Sequence, residues 1–429
     1  MHTNRLLALF TILCCLIILV SCRQTANNIS SDPINTQSIQ LDAATHPHAS
    51  GFEFTPNNDH MSDRLPDIAN GISPIRPMDG ALYLVDRSMV YRYSIETGGV
   101  IPLCNDPLCM HNSTDCPFYG LNTVLRMIHA SNNNIFYAQD YMQWDAALGK
   151  FTYTKRLMRY DLTNNRPHLV EDIPTGVQLI DYFFYKDYQY YLNLAFDEVE
   201  TDDGKTTSQM RYEICERNLI TLQSRVLRDF GDIWVSIASA DDERLYYVDA
   251  LGNLGYILLR DPTQGKVVCF RDNLRNMVLD GDYFYGKREL GKNENNRYIY
   301  ELYRISKDGG DAQVLTTDDV QYHVLTDRYI YYSRTRVKFP YYDDSTVLVL
   351  PREIYRIPKE GGEPECVYTI PDDMDNIYFR AYVVDGNYLY AAYIGVDRES
   401  GEQFGSYTSA GPDYMRVNLL TGEITYITY

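Results

Sequence analysis

The chain has 429 residues, 39 of them tyrosine, and a formal net charge of −19. Acidity on that scale excludes an electrostatic clasp on nucleic acid or on anionic lipid, and it suits solubility outside the cell. Its length allows one domain with a full core.

The N-terminus opens with Arg5, an apolar run over 6–20, and Leu19-Val20-Ser21-Cys22. The run is too short and wrongly flanked for a stable membrane span, and it reads as an export signal. Its last four residues resemble the bacterial lipobox. The resemblance implies diacylglyceryl transfer to the Cys22 thiol and cleavage before it, with Ser21 as the small residue that the signal peptidase pocket must admit. An ordinary secretory signal or an uncleaved anchor is the alternative. The expected division is a signal peptide over 1–21, a lipidated N-terminus and flexible tether over 22–72, rich in Asn, Ser, Thr, Asp and Pro, and a folded domain over 73–429.

From Leu82 onward a two-part phrase recurs. Its first part is an aromatic-rich couple: Leu82-Tyr83, Phe136-Tyr137, Tyr190-Tyr191, Tyr246-Tyr247, Phe284-Tyr285, Tyr331-Tyr332 and Leu389-Tyr390. The second part is a strand such as Leu302-Tyr303-Arg304-Ile305-Ser306, closed by a turn such as Thr97-Gly98-Gly99, Asp308-Gly309-Gly310, Glu360-Gly361-Gly362 or Thr421-Gly422. The couples are spaced by 54, 54, 56, 38, 47 and 58 residues, the length of a four-stranded unit with variable loops. Small antiparallel sheets with two apolar faces stack radially, so the pattern predicts an all-β, seven-bladed β-propeller, with six or eight as neighbouring counts. A flat solenoid or a pair of sandwiches fits the period less well. Blade 1 is the weakest unit, because its inner strand near Ile75 to Met78 is flanked by Pro74 and Pro77, and proline is poorly tolerated in a central strand.

Between blades 1 and 2 lies the run Cys104-x4-Cys109-x-His111-x4-Cys116. Three thiols and one imidazole are the ligand set of a closed structural zinc site. A local disulfide is the competing reading, since an exported protein can keep one, and an unpaired or reactive cluster is the third. Cys215, Cys269 and Cys366 fall in different blades and read as buried free thiols.

Strand parity places the loops between second and third strands, and those between blades, on one face of the ring. These loops are long at 139–150, 196–206, 287–297, 334–352 and 396–412. Long loops on a rigid scaffold are where binding residues concentrate. The candidates are Tyr141, Trp144, Phe339, Tyr341, Tyr342, Phe404 and Tyr407, with Asp202, Asp203, Asp343 and Asp344 beside them. Aromatics stack on a sugar ring or a partner side chain, and carboxylates accept hydrogen bonds from hydroxyls. Folding of these aromatics back onto their own loops is the bland alternative. The chain has no G-x-S-x-G, H-E-x-x-H or P-loop motif to carry catalysis, and acids are too numerous for any one pair to be informative. His129, His168 and His323 read as structural, and the calcium reading of Asp372, Asp373 and Asp375 lacks an EF-hand pattern.

Leu245-Tyr246-Tyr247-Val248-Asp249 and Leu82-Tyr83-Leu84-Val85-Asp86 resemble the tyrosine-tryptophan-threonine-aspartate repeats of low-density lipoprotein receptor propellers, with TolB-like propellers a further likeness. Residues 75–429 are also similar to the propeller lipoproteins of Gram-positive gut-type bacteria, which share the cysteine–histidine run. The receptor propellers have six blades and a tryptophan in the motif, so neither their ligands nor their calcium sites carry over. The resulting expectation is a monomeric, lipid-anchored propeller in the bacterial cell envelope, at the outer face of the cytoplasmic membrane. It binds a glycan or an envelope protein without catalysis, with no nucleic-acid partner and with structural zinc as its one cofactor candidate. A carbohydrate-active enzyme, either glycoside hydrolase or lyase, is the alternative.

Overall fold

A four-stranded sheet with apolar side chains on both faces has no face to give to water, so each such sheet must be sandwiched between neighbours. Seven of them meet this need by packing around an axis as a seven-bladed β-propeller. The computed structural model describes residues 59–61, 75–78, 80–86, 89–104, 106–111, 116, 118, 125–131, 133–145, 150–164, 166–173, 182–200, 206–269, 274–292, 298–341, 346–371, 374, 377–396, 403–405 and 413–428. The blades span 75–102, 125–173, 182–229, 235–269, 274–316, 320–369 and 377–427. Each is an antiparallel meander running outward from the axis in chain order, and the seventh adds a short fifth strand, Gln403–Gly405, paired to Tyr388–Val396.

Every aromatic couple falls on the second strand of its blade. Successive residues of a strand point to opposite faces, so one member of a couple packs toward each neighbouring blade. Tyr331 joins the apolar cluster shared with blade 7, for instance, and Tyr332 the one shared with blade 5. The core is therefore divided among seven seams, each with its own buried cluster. Full burial of one large side chain is worth about 1.5–3 kcal/mol, so each seam contributes more than any hydrogen bond within it.

Ile75–Met78 does form the inner strand of blade 1, with Pro77 opposite Leu82. An inner strand is paired on one side only, so a proline there removes no ladder bond that a neighbour requires. Among the described residues no strand is exchanged between the first and last blades. Closure rests on side chains: Ile75, Leu82, Leu84 and Tyr93 pack against Val383, Tyr390, Ala392 and Tyr414. Tyr93 and Tyr390 meet edge to face at 5.7 Å.

The turns between first and second strands and the Gly-Gly turns share one face, which we call the turn face. Polar contacts there link neighbouring blades. His129 Nε2 lies 2.7 Å from the Lys186 carbonyl, and Ser131 donates to Asp187. The Tyr185 hydroxyl donates to Asp242 at 3.0 Å, and Arg244 donates to Asp308 at 2.5 Å. Lys359, almost fully buried, is paired with Asp280. Asp59 to Met61, within the segment read from sequence as tether, also sit against this face, on the turns of blades 6 and 7.

Gly309 shows how closely these turns approach the next blade. Its φ is +98°, and a Cβ there would lie 2.6 Å from the Val268 carbonyl oxygen on the outer strand of blade 4. Gly310 has φ +116° but open space around it. Gly309→Ala is expected to cost about 2–3 kcal/mol in urea unfolding, from strain and contact together, and Gly310→Ala about 1 kcal/mol from strain alone. The reverse order would contradict the close approach.

Candidate functional site

In five blades the second and third strands run on well beyond the turns that parity assigns to them. They pair as Asn134–Asp145 with Lys150–Asp161, Tyr188–Glu200 with Thr206–Asn218, Tyr283–Lys292 with Tyr298–Ser306, and Tyr329–Tyr341 with Thr346–Pro358. In blade 7, Tyr388–Val396 is prolonged by its pairing with Gln403–Gly405. The segments expected to be long loops are thus mostly hairpin ladders, which corrects the sequence reading. The physical reason is that the register is already set inside the blade, and runs such as Phe151-Thr152-Tyr153-Thr154 and Val347-Leu348-Val349-Leu350 have the β-branched and aromatic residues to continue it. Blades 1 and 4 close the same connection tightly, with Asp86 paired to Met89 and Asp249 bonded to Asn253. All five hairpins rise from the face opposite the turn face.

The candidate aromatics take register positions on three separate hairpins. Tyr141 is opposite Thr154 and Trp144 opposite Phe151 in blade 2. Phe339 is opposite Leu348 and Tyr341 opposite Thr346 in blade 6, and Phe404 is opposite Gly395 in blade 7. Tyr342 and Tyr407 lie outside the described residues, as do Asp202, Asp203, Asp343, Asp344, Asp372, Asp373 and Asp375.

The structure adds apolar side chains that the sequence reading did not single out. Phe196 and Met210, a cross-strand pair on the blade 3 hairpin, are 54% and 39% exposed. Leu290 and Tyr298 are exposed on the blade 5 hairpin. Between these two hairpins lies the low turn of blade 4, where Leu251 is exposed beside Trp234, whose carbonyl accepts from the Ala250 amide at 2.9 Å. Backbone bonds between Tyr212 and both Phe230 and Gly231, each 2.8 Å, hold the Trp234 connection against the base of the blade 3 hairpin. A signal was available: the chain has 2 tryptophans, Trp144 and Trp234, and both belong to this face.

The cysteine–histidine run is part of the same face, in the connection from blade 1 to blade 2. The Asp106 side chain accepts from the Leu108 amide at 2.9 Å and its carbonyl from Cys109 at 3.1 Å, which curls the run back on itself. His111 takes φ +55°, so that the imidazole turns toward the thiols. The donor atoms of Cys104, Cys109, His111 and Cys116 all lie within 4.8 Å of one another, and Cys116 Sγ is 3.7 Å from His111 Nδ1. A tetrahedral zinc with about 2.3 Å Zn–S bonds needs donors about 3.8 Å apart, so a contraction of under about 1 Å completes the cage. Burial raises the Cys104 thiol and pushes Cys116 up to about 12, opposed by backbone N–H bonds from Asp106 and Phe118. The cluster packs on Tyr83, Phe118, Tyr137 and Tyr160. No disulfide links these cysteines, and Cys215, Cys269 and Cys366 lie on three different blades, outside any disulfide. This group can hold a metal ion.

Three carboxylates at the base of the hairpins are engaged by arginines: Asp172 by Arg156 at 2.8 Å, Asp229 by Arg211 at 2.7 Å, and Asp318 by Arg334 at 3.2 Å. Of the histidines, His129 stacks on Phe184 at 4.8 Å and His168 is exposed. His323 is fully buried, with neither ring nitrogen hydrogen-bonded.

No protein-family model matches the chain, and no curated protein matches it. Among solved structures it is similar to the β-propeller domain of the Trilobed protease from Pyrococcus furiosus, described as having an open velcro topology. Identity there is 11% over 72% of this chain and 98% of that one, with a TM-score of 0.39. It is also similar to TolB from Acinetobacter baumannii, at 12% identity over 68% and 80% with a TM-score of 0.32. A chain of the nidogen/laminin complex matches at 13% over 68% and 96%, also with a TM-score of 0.32.

The buried imidazole of His323 gives the fold a defined acid sensitivity. Desolvation, reinforced by Lys287, holds its pKa down to about 3. In the unfolded chain the group titrates near 6.5, so unfolding takes up a proton between roughly pH 6.5 and 3. Its contribution to stability is intact above that window and falls within it by up to about 1.4 kcal/mol per pH unit. His323→Leu should therefore lose less stability than the parent between pH 7 and pH 4, read by urea unfolding at each pH. Equal losses would locate the acid sensitivity elsewhere.

Proposed function

We propose that this chain is a lipid-anchored propeller of the bacterial cell envelope, held through Cys22 at the outer face of the cytoplasmic membrane. In this reading its hairpin face binds a glycan or an envelope protein without chemical turnover. The observation that carries the reading is the segregation of the two faces. Turns and the Asp59–Met61 attachment occupy one side, and the hairpins, both tryptophans and exposed Phe196, Met210, Leu251, Leu290 and Tyr298 occupy the other. Apolar side chains exposed on neighbouring hairpins mark a candidate interaction surface, whereas scattered ones such as Ile220 on the turn face are ordinary.

In this reading Cys104, Cys109, His111 and Cys116 hold structural zinc. With four protein donors the coordination is closed, and the ion would pin the connection between blades 1 and 2 rather than activate water. The carbohydrate-active enzyme reading needs two carboxylates converging across a groove, whereas Asp172, Asp229 and Asp318 at the hairpin bases are each engaged by an arginine.

Two measurements test these assignments. Sedimentation of the purified chain with isolated cell-wall glycan or with envelope proteins should show saturable binding to one of them. Trp234→Ala or Phe196→Ala should weaken it about tenfold, the effect of losing one anchoring aromatic. Binding untouched by both substitutions would remove the hairpin face from the reading. For the metal, elemental analysis should return about one zinc per chain. Cys109→Ser should lower that content, and zinc unchanged by the substitution would refute the site.

A further inference from the structure

The contacts on the turn face differ from one seam to the next in where their atoms come from. Between blades 2 and 6, neighbours reach each other directly through Ser131 and Asp187, Tyr185 and Asp242, Arg244 and Asp308, and Lys359 and Asp280. Between blades 6 and 7 the bridge is supplied from outside both blades. Asp59 is completely buried. Its carboxylate accepts from the Thr326 hydroxyl at 2.5 Å and from the Arg328 amide at 2.8 Å, both on the first turn of blade 6. Its carbonyl accepts from the Gly386 amide at 2.7 Å, on the corresponding turn of blade 7.

The next two residues extend the bridge. The His60 carbonyl accepts from the Asp327 amide at 3.0 Å, and its Nδ1 lies 3.1 Å from Asp385. Met61 pairs with Thr326 and packs on the apolar cluster between blades 7 and 1. Three residues thus touch blade 6, blade 7 and the seam where the ring closes.

We propose that Asp59–Met61 is the clasp of this propeller, doing from the N-terminal segment what a shared strand does in rings whose terminal blade is built from both chain ends. The need is physical. Among the described residues no sheet is shared by blades 7 and 1, and an apolar cluster packs their seam, so the last blade can swing outward once its seams loosen. A buried carboxylate that takes donors from blade 6, on a backbone that takes one from blade 7, resists that motion. Its removal takes the acceptor from the Arg328 amide and leaves the Thr326 hydroxyl with the Tyr329 carbonyl alone. The position also explains why an acid is seated in a fully enclosed place: backbone N–H and hydroxyl donors offset the desolvation that raises its pKa.

The test uses the full chain with Asp59→Ala, and with Asp59→Asn and Thr326→Val as milder versions that still fold if the first does not. Hydrogen exchange and thermal unfolding are read together. A clasp predicts a Tm lower by about 5 °C and exchange on the order of 100-fold faster along Ile377–Asp385 and Ala81–Asp86, with Val235–Ala240 in blade 4 unchanged. Asp59→Asn and Thr326→Val should give the same pattern at smaller amplitude. Faster exchange confined to Thr326–Arg328 and Gly386 with an unaltered Tm would overturn the proposal. So would equal acceleration in every blade, since general destabilisation is not failure of closure.

Discussion

The whole architecture depends on the burial of aromatic couples between sheets that have no stability alone. Each second strand presents large side chains to both neighbours, so a blade is completed only by the blades beside it. Tyrosine suits this position better than phenylalanine because the ring is buried while the hydroxyl still finds a partner at the edge of the seam. Tyr246 donates to Asp241 at 3.1 Å and Tyr332 to Asp318 at 2.6 Å, and on an inner strand Tyr382 donates likewise to the Tyr322 carbonyl at 3.1 Å. The abundance of tyrosine is thus a requirement of seams that are apolar in the middle and wet at the rim.

Short-range features of this design were legible in the sequence, and long-range ones were not. Couples, Gly-Gly turns and blade count follow from local period, and the cysteine–histidine cluster from spacing within 13 residues, 104 to 116. The projecting hairpins were misread as loops because a segment such as Gln139-Asp140-Tyr141-Met142-Gln143 lacks clean alternation. Its strand character comes from the partner at Thr152 to Arg156 and from the register fixed deeper in the blade. Asp59 was beyond reach altogether: it is one acid in a polar tract, and its hydroxyl donor is 267 residues away. Trp234 was overlooked because it sits between blades and not in a long insertion, although its rarity could have marked it.

The acidity of the chain acquires a structural meaning as well. Many aspartates sit at turns and accept backbone amides: Asp161 from Thr163 at 2.8 Å, Asp229 from Gly231 at 2.8 Å, Asp241 from Arg244 at 2.8 Å, and Asp249 from Leu251 at 2.9 Å. A carboxylate in that role replaces the missing ladder partner at the end of a strand. A meander with this many reversals accumulates negative charge as a by-product of its turns, which is why the count of acids carried no information about chemistry.

The hairpins have an implication for how such a domain diversifies. Because they prolong the two middle strands, insertion of one matched residue pair on each strand lengthens a finger while every existing side chain keeps its outlook, whereas an odd insertion in one strand turns the outer part over. Reach and composition of the fingers can therefore drift independently of the ring that carries them. A set of such domains would share a frame and differ in grip, as digits of different length on the same palm.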